Sequence, residues 1–164
     1  MILDLPTLTL LHVVLSLLGI ASGVVVMYGL IAAKRLETWT ALFLLTTVAT
    51  SVTGFFFPFV RFLPSHGVGI VSLLVLTAAI VARYAARLAG AWRPIYAVSA
   101  VIALYLNLFV LVVQMFQKVP ALAALAPTQS EPPFLLTQSV LLTICVVFTI
   151  AATMRFRSEP DRAV

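Results

Sequence analysis

The chain has 164 residues, of which 63% are hydrophobic and only 9% charged, and its mean hydropathy is +1.18. Soluble domains carry about 25% charged residues, so this composition excludes a water-soluble globular protein and makes lipid the solvent for most of the chain. The net charge of +5 would suit a nucleic-acid partner, but the Lys and Arg residues sit at the ends of apolar runs rather than on one polar surface, which is how membrane-topology signals are placed.

A helix needs about 20 apolar residues to cross the hydrocarbon layer. Five stretches meet this, at about 8–33, 39–60, 67–88, 95–116 and 134–154. They are too long and too uniformly apolar for barrel strands. The expected fold is an all-α, integral membrane bundle of five transmembrane helices forming one domain over residues 1–156. A short cytoplasmic tail, 157–164, follows it. The first run is preceded by Asp4 and no basic residue, and it is longer than the apolar core of a signal peptide, so it reads as an uncleaved anchor.

The spans carry recognisable punctuation. Thr38 is a candidate cap for the second and Ser65 for the third. Gly90 suits the end of the third, and Pro94 the first turn of the fourth. Pro132 and Pro133 lead into the fifth. Trp39, Trp92 and Tyr96 stand where an interfacial aromatic belt belongs.

Lys34, Arg35, Arg83, Arg87, Arg93, Arg155, Arg157 and Arg162 all fall on one side of a five-span protein, leaving Arg61 and Lys118 of the 10 basic residues on the other. The positive side faces the cytoplasm. This sets the N-terminus outside, the C-terminus inside, and a bacterial cytoplasmic (inner) membrane as the location. Arg83 and Arg87, one turn apart, are expected to snorkel to the cytoplasmic surface.

Polar side chains inside lipid are costly, so their positions are informative. His12, Ser16, Gly19 and Gly23 share one face of the first span, with Gly19 and Gly23 as a small-xxx-small pair. In the second span Thr46, Thr50 and Thr53 share a face, and Thr47, Ser51 and Gly54 the adjacent one. Pro58 removes a donor and predicts a kink. Ser99, Asn107, Gln114 and Lys118 run down the fourth span, and Gln138 lies near the start of the fifth. The longest connection, 119–133, holds Gln129 and Glu131, and its stretch Pro120 to Ala126 predicts a short interfacial helix that could act as a lid.

With the topology above, His12, His66, Gln114 and Gln138 all fall in the outer half. The expectation is an outward-facing polar pocket using His12, Ser16, Gly19, Thr50, Asn107, Gln114 and Gln138. In it His12 faces the pocket and lies near Gln114 or Gln138. The sharpest chemistry for such a pocket is a redox role. Two imidazoles, His12 and His66, suit haem b or a metal ion, and His and Gln donors suit a quinone. One alternative is permeation of a small solute or ion by a homo-oligomer. The other is an accessory or assembly subunit that binds lipid or another membrane protein, for which the glycine pair supplies a helix-packing face. Cys145 is the lone cysteine and reads as a small buried hydrophobe. No zinc-protease, phosphate-loop or serine-hydrolase motif occurs, so no catalytic residue is assigned.

Overall fold

The computed structural model describes residues 4–57 and 64–156. Every regular element among them is helical: α1 (Leu5–Ile31), α2 (Glu37–Gly54), α3 (Pro64–Ile80) with a π-helical turn over Val81–Ala85, α4 (Trp92–Lys118), α5 (Pro120–Leu125) and α6 (Pro132–Arg155). Four helical segments are long and apolar enough to cross a membrane: Leu5–Ile31, His66–Ala85, Trp92–Lys118 and Pro132–Arg155. The kink expected at Pro58 and the positions of Arg61, Arg157 and Arg162 lie outside what is described, while Ser65, expected to cap the third helix, is a helical residue of α3 and not its cap.

Local chemistry explains the ends. Pro6 sits in the first turn of α1, where a missing N–H costs nothing. α1 closes on a Schellman motif, with Lys34 N–H donating to the Gly29 carbonyl at 2.8 Å and Ala33 N–H to the Leu30 carbonyl at 3.3 Å. The left-handed residue of that motif is Ala33, at φ 54°, where a glycine would be usual. Leu36 then folds back on Gly29, whose lack of a side chain is required: a Cβ there would stand 2.9 Å from Leu36 Cδ1.

α2 begins at Glu37, with Leu36 in the cap position, so Thr38 is a helical residue and not the cap. An acidic residue in the first turn is favoured by the helix dipole instead. Gly90, expected to end the third helix, stands in the turn before α4 at φ +49°; the helix itself has already ended at the π-helical turn. Pro94 does fall in the first turn of α4, and α5 matches the short helix expected after Pro120.

Side-chain contacts give the helix directions. Along the α1–α2 pair, His12 meets Thr53, Gly19 meets Thr46 and Thr47, and Gly23 meets Phe43. The two are therefore antiparallel over nearly their whole length. α3 returns against α2 through Ser51–Ser72 and Glu37–Arg83. α6 runs antiparallel to α4, with Phe134 on Phe116, Gln138 on Phe109 and Phe156 on Tyr96. α4 is the central helix, touching α1, α3, α5 and α6.

In lipid the hydrophobic effect does not drive helices together; close van der Waals packing does, and small residues permit it. The core follows this rule. Ala97, Ala100 and Ala103 of α4 and Ala79 and Ala82 of the third helical segment are fully enclosed, and Phe43 fills the space that they and Gly23 leave. α6 is the exception. Only 11% of its most apolar stretch is buried, against 39% for α4.

Candidate functional site

Polar side chains gather in three layers along the bundle. At the His12 end, His12 Nδ1 lies 3.0 Å from Thr53 Oγ1, and the ring meets Phe57 edge-on at 5.4 Å. His66 is buried beside Phe55, with ring centroids 6.1 Å apart. Both histidines thus occupy one end, each against a phenylalanine of the segment following α2. The bonded neighbour of His12 is Thr53 rather than Gln114 or Gln138. Gln138 donates through Nε2 to the Phe109 carbonyl at 3.2 Å, and its buried Oε1 has no hydrogen-bond partner. Gln114 is half-buried on α4. Among the described residues no three His, Cys, Asp or Glu side chains come together as a metal site.

The connection over this end is ordered by Glu131. Its carboxylate accepts from the Thr128 hydroxyl at 2.8 Å and from the backbone N–H groups of Thr128 and Ser130, each at 3.1 Å. Desolvation pushes the Glu131 carboxyl up, but these hydrogen bonds together outweigh it and hold it below the usual carboxylate range. Gln129, at φ 58°, turns its amide inward to donate to the Val113 carbonyl at 3.1 Å.

The middle layer is a knot of α1, α2 and α4. Asn107 Nδ2 lies 3.4 Å from Thr47 Oγ1. Gly19 is its floor: a Cβ there would stand 3.1–3.3 Å from Thr47, Asn107 and Thr46. Thr46 and Thr50 return their hydroxyl protons to carbonyls one turn back, at 2.7 and 2.9 Å. Hydroxyls so occupied pack helices together and leave little for a ligand. Ser16 sits half-buried one turn from this knot.

The third layer is at the opposite end, and sequence reasoning missed it. Arg83 points inward. Its side chain is 3% exposed, and its guanidinium carbon stands 5.5 Å from the Tyr96 ring centroid. Arg83 Nη2 lies 2.7 Å from Glu37 Oε2, whose side chain is 67% exposed. The pair is close in charge but poorly aligned, so the buried Nη2 has no hydrogen-bond acceptor. The expectation that Arg83 snorkels to the surface is therefore overturned. Arg83 continues the buried face of Ser72, Leu76 and Ala79 at offsets of four, three and four, and the π-helical turn over Val81–Ala85 follows on that face.

Two cavities lie at this end. One is a cleft of about 260 Å³ lined by Arg35, Glu37, Arg83, Tyr84, Arg87 and Leu88. The other is a crevice too narrow for water, which runs inward from Arg35 past Arg83 to Thr40 and Tyr96. Backbone strain concentrates here as well. Ala33, Arg87 and Leu88 all have positive φ, at 54°, 51° and 59°. Left-handed conformations cost a non-glycine residue roughly 1–2 kcal/mol each, and such strain tends to collect at functional sites.

No family model, no curated protein and no solved structure matches this chain.

Proposed function

We propose that this chain is a five-span protein of the bacterial cytoplasmic membrane, N-terminus outside and C-terminus inside, that acts as an accessory subunit by binding an anionic, phosphate-bearing ligand in the cleft around Arg83. The fifth span in this reading is α2. Its 18 described residues cover about 27 Å, close to the ~30 Å hydrocarbon layer, and its antiparallel packing along α1 supports a full return crossing. Lys34, Arg35, Arg83, Arg87, Arg93 and Arg155 share one end, and Lys118 is at the other. That asymmetry supports a cytoplasmic position for the cleft. Exposed Trp39, Tyr84 and Trp92 near the same end suit headgroup depth.

The topology has a direct test. Single cysteines introduced at Thr128 and at Arg35, in a Cys145→Ala background, are expected to label from opposite sides of the membrane with an impermeant maleimide. Labelling of both from the same side would leave α2 short of a crossing.

The observation that carries the binding reading is Arg83 Nη2, buried at the wall of a polar cleft, 2.7 Å from the largely exposed Glu37 carboxylate but with no aligned hydrogen-bond acceptor. A buried cationic donor left unbonded is costly, and a phosphate oxygen would satisfy it. Arg is also the side chain best suited to phosphate. Wild-type protein in nanodiscs containing anionic lipid is expected to retain that lipid through detergent extraction, as read by native mass spectrometry. Arg83→Gln should lose at least tenfold in retention, and Arg83→Lys should lose less. Equal retention of lipid by wild type and Arg83→Gln, together with equal binding of inorganic phosphate, would sink this reading. The pocket at the His12 end is the weaker reading, because His12 and Gln138 spend hydrogen-bonding atoms on neighbouring helices and Thr50 donates back to its own helix.

A further inference from the structure

The cleft contains three guanidinium groups, of Arg35, Arg83 and Arg87, against the one carboxylate of Glu37. Among the described residues, the other acids are Asp4 and Glu131, both at the far end of the bundle. Among the described residues Glu37 is therefore the one carboxylate at this end, and its position is unusual. It reaches Arg83 Nη2 at 2.7 Å, yet its side chain is 67% exposed and misaligned for a hydrogen bond. Arginine–carboxylate pairs that hold a fold together are generally bidentate and aligned. This one has a buried cation over the Tyr96 ring and a largely exposed anion at the mouth of a cleft.

We infer that Glu37 is a displaceable occupant of the anion site, and that the ligand which replaces it is a phosphomonoester dianion. This rests on the binding reading above. With Glu37 in place the lining carries two net positive charges, which match a phosphomonoester's charge of about −1.5 to −2 at neutral pH better than a phosphodiester's single charge. When the ligand enters, its oxygens take the Nη2 donor and Glu37 swings into water. The swing needs little rearrangement because Glu37 is in the first turn of α2, at the surface. The cleft's volume of about 260 Å³ admits a headgroup but not acyl chains, so a lipid would leave its tails beside Tyr84 in the bilayer. A phosphomonoester lipid and a soluble phosphomonoester share this chemistry.

The test compares wild type, Glu37→Gln, Glu37→Asp and Arg83→Gln in nanodiscs. The probes are inorganic phosphate in the buffer, phosphatidic acid in the bilayer, and phosphatidylglycerol as the phosphodiester. Glu37→Gln is expected to bind the monoester probes about fivefold more tightly than wild type, the scale of releasing an exposed ion pair. Glu37→Asp, a methylene shorter and still charged, should fall between. Wild-type affinity should drop as pH falls through about 6, where the monoester loses its second charge. Binding of phosphatidic acid without inorganic phosphate assigns a lipid source, and the reverse a soluble one; either supports the inference. Unchanged or weaker binding by Glu37→Gln, in protein that still binds as wild type and loses binding in Arg83→Gln, overturns the displacement while leaving the cleft intact. Equal affinity for phosphatidylglycerol overturns the dianion class. Failure of every variant to bind any probe overturns the underlying reading as well.

Discussion

Gly23→Val is expected to lower the stability of the bundle by about 2–3 kcal/mol or to prevent its assembly. Even one added carbon is too many at this position. A Cβ would stand 2.8 Å from Leu104 Cδ1 and 2.9 Å from the Phe43 ring. The leucine methyl can shift, but Phe43 is fully enclosed and has nowhere to go. Overpacking a tight core costs roughly 1–3 kcal/mol, occasionally more, and valine adds two further methyls to the same contact. Gly23→Ala should show about half the loss. Gly19→Ala should show less again, because its contacts of 3.1–3.3 Å are with polar side-chain ends that can give slightly. Reversible unfolding in mixed micelles, with helicity as the signal, checks the order. A stable Gly23→Val protein would mean that α1 and α2 do not meet at this point.

The second large effect is asymmetric. Glu37→Ala is expected to cost more stability than Arg83→Met, although both remove the same ion pair. Alanine at 37 leaves a buried guanidinium with no counter-charge, whereas methionine at 83 leaves an exposed carboxylate that water can solvate. Breaking a fully buried pair from one side costs about 3–5 kcal/mol; because Glu37 is largely exposed, roughly 1–3 kcal/mol is expected for Glu37→Ala. Arg83→Met should lie near neutral, with its stem still packed over Tyr96. The same unfolding measurement, made without phosphate or anionic lipid, separates them. A larger loss for Arg83→Met would show that the stacking on Tyr96, not the charge, holds this end together.

Hydropathy alone was enough to locate the membrane-length helices, because 20-residue apolar runs have few other uses. The first turn of α4 at Pro94 and the short helix after Pro120 were legible for a similar reason: proline constrains the backbone whatever surrounds it. The Gly19–Gly23 stripe was legible as a face of close approach, but its spacing left open whether a helix or a ligand meets it, and Gly19, expected to line the pocket, lies against Thr46, Thr47 and Asn107. The site was much less legible. The polar residues of α1, α2 and α4 were visible in the sequence, but whether a threonine serves a ligand or its own helix depends on a proton's direction, which spacing does not encode. Thr46 and Thr50 turn out to bond backward. Arg83 was misread for a different reason. Counting by the α-helical period puts Arg83 on one face with Ser72, Leu76 and Ala79, but the spacing does not say that this is the face turned into the bundle. The pairing with Glu37, 46 positions earlier, is a tertiary fact. The one available signal was that Glu37 is an acid standing at the end of a span amid basic residues, where it has no role as a topology signal.

The light attachment of α6 has a consequence for how the protein is made. α1 to α4 enclose nearly all of the shared core, while α6 is held chiefly along one side of α4. A chain emerging into the bilayer in order can therefore complete its tight packing before α6 arrives, and the last helix docks onto a surface already formed. Undocking α6 leaves the packing among α1 to α4 in place, so its free energy lies below that of global unfolding. The finished protein accordingly has a four-helix body and an outer stave, whose broad exposed face is matched to lipid tails.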